Sequence, residues 1–163
     1  MRKVFYARCF DPFTNGHLDV CKQALERFDQ VILGLGINPK KTRYFDRAKM
    51  MNAVKDVLKQ HNIQDKVLCI SYDNYTGETA IEHKCECLIR GIKNKDEFDY
   101  ELWLANYNRQ NYSINTLFFL PSRPELEGVS STLARELYDA KDFETLKKIL
   151  PDTIYKLLDS QNT

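Results

Sequence analysis

Apolar runs alternate along the chain with segments whose apolar residues recur every three or four positions, the pattern of parallel strands joined by crossover helices. Strands are predicted at 4–7, 30–35, 66–71, 87–89 and 115–120. Leu18, Cys21, Leu25 and Phe28 are helically spaced over 17–28, as are Met50, Met51, Val54, Val57 and Leu58 over 46–58. A third helix is predicted over about 77–84. A longer one is predicted over 96–110, where Phe98, Leu102, Leu104 and Ala105 supply apolar faces. From Ser131 the pattern stays helical, with Pro151 placed to start the last helix, because its ring suits a first turn. The expectation is one α/β domain over residues 1–163, a doubly wound parallel sheet of five strands with C-terminal helices. Such sheets bind ligands beyond the carboxyl ends of their strands, where the strand order reverses.

Composition narrows the partners. The 24 Lys and Arg against 23 Asp and Glu leave a net charge of +1, so no general field attracts polyanions and no nucleic-acid partner is expected. No apolar run approaches the roughly 20 residues of a membrane span. The first residues carry no apolar stretch long enough for an export signal, so none is expected. Five cysteines, odd in number and scattered through periodic segments, suit reduced thiols in a cytoplasm better than a disulfide framework. His83, Cys85 and Cys87 alternate, but no second ligand pair accompanies them, so no metal site is read there.

Candidate chemistry begins after the first strand, where Arg8-Cys9-Phe10-Asp11-Pro12-Phe13-Thr14-Asn15-Gly16-His17 runs into a helix. A helix start offers unpaired N–H groups and a positive dipole end to an anion. Thr14 and His17, three apart, fall on one side of the opening turn, and Gly16 lets a ligand approach the backbone. Taken by its spacing alone, a histidine so placed is more often a capping or core residue. Lys41 in Lys40-Lys41-Thr42-Arg43 is either a site cation or a solvated charge. Arg90 stands where a parallel strand delivers its ligand contacts, directly after Cys87-Leu88-Ile89 and before Gly91. Ser130, Ser131 and Thr132 open a helix and suit either capping or a grip on phosphate. Trp103 with Tyr100 and Tyr107, near-helically spaced, reads as core or subunit interface rather than as a base-stacking platform.

The segment Phe10-Asp11-Pro12-x-Thr14-x-Gly16-His17 resembles the T/H-x-G-H signature of the nucleotidyltransferase superfamily. Asn38-Pro39-Lys40-Lys41, Arg90-Gly91-Ile92-Lys93 with Phe98-Asp99-Tyr100-Glu101, and Val129-Ser130-Ser131-Thr132 follow in the order of the phosphopantetheine adenylyltransferase family. That resemblance implies a Rossmann-like fold, ATP and 4'-phosphopantetheine as substrates, Mg²⁺ arriving with ATP, and a hexamer. It further implies His17, Lys41 and Arg90 at the reacting phosphates. ATP would meet Cys9, Phe10, His17, Gly91, Ile92, Lys93, Glu101, Val129, Ser130, Ser131 and Thr132. The acceptor would meet Cys9, Lys41, Thr76, Arg90 and Asn108, and no side chain is implied as a dedicated metal ligand.

The chemistry fits those residue types. The acceptor phosphate is already an anion, so the reaction needs two repelling anions positioned and growing charge stabilised rather than a general base. Departures are visible too. The family usually has Gly-Thr or Gly-Ser where this chain has Arg8-Cys9, and Arg where it has Lys93. The loop 123–128 is one residue longer than usual and lacks its aromatic. Cys9, near a helix start, is expected to alkylate faster than Cys21 on the apolar stripe. Two other functions remain open: a transferase with another phosphate acceptor or a cytidylyl donor, and a nucleotide-binding homologue with impaired catalysis.

Overall fold

The computed structural model describes residues 1–162 and holds one parallel sheet in the order β3-β2-β1-β4-β5. The strands are β1 (Lys3–Arg8), β2 (Gln30–Gly36), β3 (Val67–Tyr72), β4 (Cys87–Gly91) and β5 (Asn115–Phe119). The helices are α1 (Asn15–Leu25), α2 (Arg47–Gln60), α3 (Thr76–Glu82), α4 (Phe98–Tyr112), α5 (Ser131–Asp139), α6 (Phe143–Ile149) and α7 (Asp152–Ser160). The expected doubly wound α/β fold is present, with each strand within two residues of its predicted start.

Strand residues alternate between two buried layers. Val4, Tyr6, Val31, Leu33, Cys87 and Ile89 join one core with α1, α2 and the C-terminal helices, whereas Phe5, Ala7, Ile32 and Leu88 join a smaller one with Ala80 and Ile114. On the second face Gly34 makes room for a close approach, since a Cβ there would lie 2.5 Å from Phe5 Cζ. Phe5 and Tyr72 pack edge to face across that gap, with centroids 5.3 Å apart.

Helix starts follow local capping chemistry. Asp46 accepts from Lys49 N at 2.9 Å to cap α2, and Ser130 accepts from Leu133 N at 3.0 Å to cap α5. Pro151 is the residue before α7 rather than its first turn. The α4 helix starts two residues later than expected because Asn94 caps a separate 3-10 turn at Lys95–Glu97. Its burial also reverses the expectation. The buried residues of α4 are Glu101 and Asn108, while Phe98, Tyr100, Leu102 and Trp103 are exposed. A polar inner side on this helix is what links it to the strand ends.

The pairing of β1 with both β2 and β4 puts the switch point between β1 and β4. Their carboxyl ends, at Arg8 and Gly91, therefore open the crevice in which a ligand site is expected.

Candidate active site

A cavity of about 690 Å³ lies at those strand ends. Its walls are the loop after β1, the 36–41 segment, the entry to α3, the β4–α4 connection and the first turn of α5. Cys9, Phe10, His17, Lys41, Thr76, Arg90, Lys93, Ser130, Ser131 and Thr132 all line it, so residues up to 123 positions apart in sequence meet there. Gly91, Ile92 and Val129 do not. They line a narrow, mainly apolar recess behind it with Phe119, Pro121 and Leu126, and Lys93 borders both spaces.

Two predicted residues stand behind the walls. Glu101 is buried against Arg90, and Asn108 is buried one turn beyond Leu104, to whose carbonyl its Nδ2 donates at 3.0 Å. The two share a face of α4, and Leu104, one turn nearer the start of the helix, reaches the cavity wall where Asn108 does not.

His17 is both a cap and a cavity group. Thr14 ends the loop, and its hydroxyl accepts from His17 N, while His17 Nδ1 accepts from Thr14 N–H at 2.9 Å. This is a reciprocal capping box with histidine in the place of the usual Glu or Gln. A backbone N–H can only donate, so Nδ1 carries no proton and the hydrogen of the neutral ring sits on Nε2. Burial pushes the His17 pKa well below its ordinary value, helped by the charges of Lys93, Arg8 and Arg90. Phe10, Phe13 and Tyr6 fix the ring plane, with centroids at 4.9, 5.5 and 6.3 Å. The product is a preset neutral N–H donor. Phe10 itself adopts φ +48, a left-handed conformation that few non-glycine residues hold.

The loop is braced from two directions that sequence reasoning missed. Asp11 accepts from Tyr44 N at 2.9 Å and Phe45 N at 3.0 Å, and lies 3.6 Å from Arg43. Arg43 donates to the carbonyls of Cys9 (2.7 Å), Phe10 (3.3 Å) and Phe45 (3.0 Å). From the other side Ser131 Oγ donates to Pro12 O at 2.7 Å, and Arg135 Nη1 to Asp11 O at 2.8 Å. Ser131 spends its hydroxyl proton on Pro12 O, whereas Ser130 and Thr132 only accept from Leu133 N and Arg135 Nη2, so the donors α5 offers a ligand are its first-turn N–H groups and the Ser130 and Thr132 hydroxyls.

Charge gathers on the β4 side. Arg90 holds Glu101 through Nε and Nη2 at 2.7 and 2.9 Å, and its Nη1 donates to Ala7 O at 2.8 Å. Burial alone would raise the Glu101 pKa, but the hydrogen bonds and charge of Arg90, with Arg8 and Lys93, hold it below the ordinary carboxylate value. Lys93 is brought down to about 8, chiefly by burial and then by Arg8 and Arg90. Cys9 is exposed at the cavity, whereas Cys21 is fully buried and its thiol pKa is pushed up by that burial. His83 caps α3 and Cys87 lies on β4, so the alternating His-Cys-Cys residues do not share a strand.

A switch-point cavity with a neutral imidazole donor and clustered cations suits phosphate chemistry. The cytidylyltransferase-like family profile matches residues 5–137, which places the chain in that class of nucleotidyltransferases. Among its relatives, a phosphopantetheine adenylyltransferase from Bacteroides thetaiotaomicron is 36% identical over 137 residues, covering 84% of this chain and 88% of that one. Another from Chelativorans sp. strain BNC1 is 35% identical over 138 residues, 83% of each chain. The chain belongs to the phosphopantetheine adenylyltransferase family. Its fold is shared with a Plasmodium falciparum nicotinic acid mononucleotide adenylyltransferase complexed with NaAD, at a TM-score of 0.70 and 12% identity over 99% of this chain and 97% of that one.

Proposed function

We infer that this enzyme transfers the adenylyl group of ATP to 4'-phosphopantetheine, giving dephospho-coenzyme A and pyrophosphate in coenzyme A biosynthesis. An oxygen of the acceptor phosphate bonds to the α-phosphorus as the bond from that phosphorus to the β-bridging oxygen breaks, and the electron pair leaves with pyrophosphate. Nothing must be deprotonated, so the work left to the protein is alignment and charge stabilisation. His17 carries the reading. The Thr14 cap holds the ring as the neutral Nε2–H tautomer at the cavity, so Nε2–H donates to the α-phosphoryl oxygen where charge grows.

Lys41 brings positive charge to the reacting groups from the β2 side, and Arg90, paired with Glu101 and bonded to Ala7 O, lines the β4 side opposite. The base lies in the main cavity, with Gly91, Ile92 and Val129 forming the apolar backing of its β4 side. Lys93 and the first-turn N–H groups at Ser131 and Thr132 receive the phosphates, and Glu101 acts by holding Arg90. Thr76 and Leu104 face the acceptor's arm, and Asn108 supports that wall from behind. Mg²⁺ enters as part of the substrate, the triphosphate complex. Residues 1–163 act as one nucleotidyltransferase domain in a cytoplasmic homo-oligomer, a hexamer by resemblance. The free thiols of all five cysteines accord with a reducing compartment.

The assay offers ATP and Mg²⁺ with 4'-phosphopantetheine, nicotinamide mononucleotide or glycerol 3-phosphate, and identifies products by chromatography. Dephospho-coenzyme A forming in step with pyrophosphate is expected. Faster turnover of another acceptor by the folded protein would overturn the assignment.

A further inference from the structure

Among the cavity's cations, Arg8 keeps hydrogen-bonding capacity that the chain does not use. Arg90 spends Nε and Nη2 on Glu101 and Nη1 on Ala7 O. Arg135 spends Nη1 on Asp11 O and Nη2 on Thr132 Oγ1. Arg8 donates from Nη2 to Gly91 O at 2.9 Å and lies 3.1 Å from Glu101 Oε1, but its Nε is buried without an acceptor. A buried N–H of a charged group left without a partner is costly, and Arg8 lines the cavity with its side chain 18% exposed, so its guanidinium can turn its unused donors to an incoming oxyanion.

The charge balance agrees. Glu101 is already neutralised by the bidentate Arg90, so Arg8 beside it leaves a local surplus of one positive charge. Lys93 stands beside Glu97, whose carboxylate accepts from the Lys93 N–H at 3.4 Å and offsets its charge, so the surplus on this side stays at one, whereas the acid of Asp11 is taken up by Arg43 and two backbone N–H groups. Every partner of Arg8 belongs to β4 or α4, and none belongs to the Lys41, Tyr72 and Thr76 side. Arg8 stands where the family usually has glycine, so no role reaches it by resemblance.

We propose that Arg8 is a phosphate-contacting residue of this enzyme, binding the triphosphate of ATP together with Lys93 on the β4 side of the cavity. The proposal rests on the reading that the cavity takes ATP. Its rival is a purely internal role in which Arg8 only steadies Glu101.

The test uses Arg8→Gly and Arg8→Gln, with inorganic tripolyphosphate as a probe that has no base, ribose or acceptor. Calorimetry measures ATP and tripolyphosphate binding, and steady-state kinetics separates the KM of each substrate. Both variants are expected to bind tripolyphosphate and ATP about tenfold more weakly, the scale of one charge-assisted hydrogen bond. The acceptor KM should stay within twofold, and Arg8→Lys should recover part of the loss. Tripolyphosphate affinity within twofold of the parent in a variant with an unchanged circular dichroism spectrum would overturn the proposal, as would tighter ATP binding. A parent protein that binds neither ATP nor tripolyphosphate removes the nucleotide reading and the Arg8 role with it. One that binds both but uses another acceptor removes only the choice of acceptor.

Discussion

His17 does two jobs with its two nitrogens, and the division makes its role separable from structure. Nδ1 closes the capping box of α1, and Nε2 is left to the ligand. Replacing His17 by Ala removes both functions. The Thr14 bond to the residue 17 N–H survives, so stability falls through half of the capping box and the cavity left by a buried ring, about 2–4 kcal/mol and visible in Tm, whereas loss of a preorganised transition-state donor costs roughly 10²-fold or more in turnover. The expected outcome is kcat down by that factor with ATP affinity by calorimetry largely kept. Equal loss of both would mean that the ring serves only the ground state. Lys93 gives the pH dependence. Burial, then Arg8 and Arg90, lower its pKa to about 8, against the opposing pull of Glu97 and Glu101. The charged form predominates below that pH and is the one that attracts triphosphate. ATP affinity should therefore fall as pH rises from 7 to 9, with binding at pH 8.5 accompanied by proton uptake, readable from calorimetry in buffers of different ionisation enthalpy. Lys93→Met should flatten this profile, and an unchanged slope would assign the titration elsewhere.

At the scale of elements, the sheet's second face depends on Gly34. A Cβ there would come within 2.5 Å of Phe5 Cζ and 2.9 Å of Tyr72 Cε1, both on rings packed against each other. Gly34→Ala should cost about 1–3 kcal/mol through overpacking, read as a lowered Tm, and Phe5→Leu in the same chain should restore part of it. A Tm unchanged by Gly34→Ala would show that the rings yield freely. The strands were legible because each is an apolar run bounded by polar residues, and the loop from Cys9 to His17 was legible because its cap, helix start and site histidine are adjacent in sequence. The braces were not. Arg43 and Arg135 reach Asp11 over 32 and 124 positions, and Arg8 reaches Glu101 over 93, contacts with no local period to announce them. The inner side of α4 escaped for a related reason. Hydropathy assigns a helix's apolar residues to the core, but the Arg90 side chain draws Glu101 inward and leaves the aromatics outside.

Those outward aromatics set the expectation for the whole molecule. Tyr100 stacks on Trp103 with centroids 6.2 Å apart, and Trp103 on Tyr107 at 5.7 Å, both with planes 27° apart. Tyr100 and Trp103 are each 59% exposed, and Phe98 and Leu102 add apolar surface on the same helix. A contiguous exposed patch of this kind marks an interface more often than it marks free surface. It also adjoins the cavity, since Tyr100 and Leu104 line it. The proposed homo-oligomer supplies its own cover for such a patch: a second copy presenting apolar surface of its own. Light scattering on the purified protein should give a mass near six times that of one chain. Trp103→Glu places a charge in the middle of the stack, where burial against a neighbour would demand its desolvation. That variant should form smaller species with little change in far-UV circular dichroism, because Trp103 is not a core residue. Its ATP affinity should change less than its mass, because the Arg8, Lys93 and α5 contacts lie within one chain. A parent protein with the mass of a single chain would remove the oligomer, and a Trp103→Glu protein with the parent's mass would place the contact elsewhere.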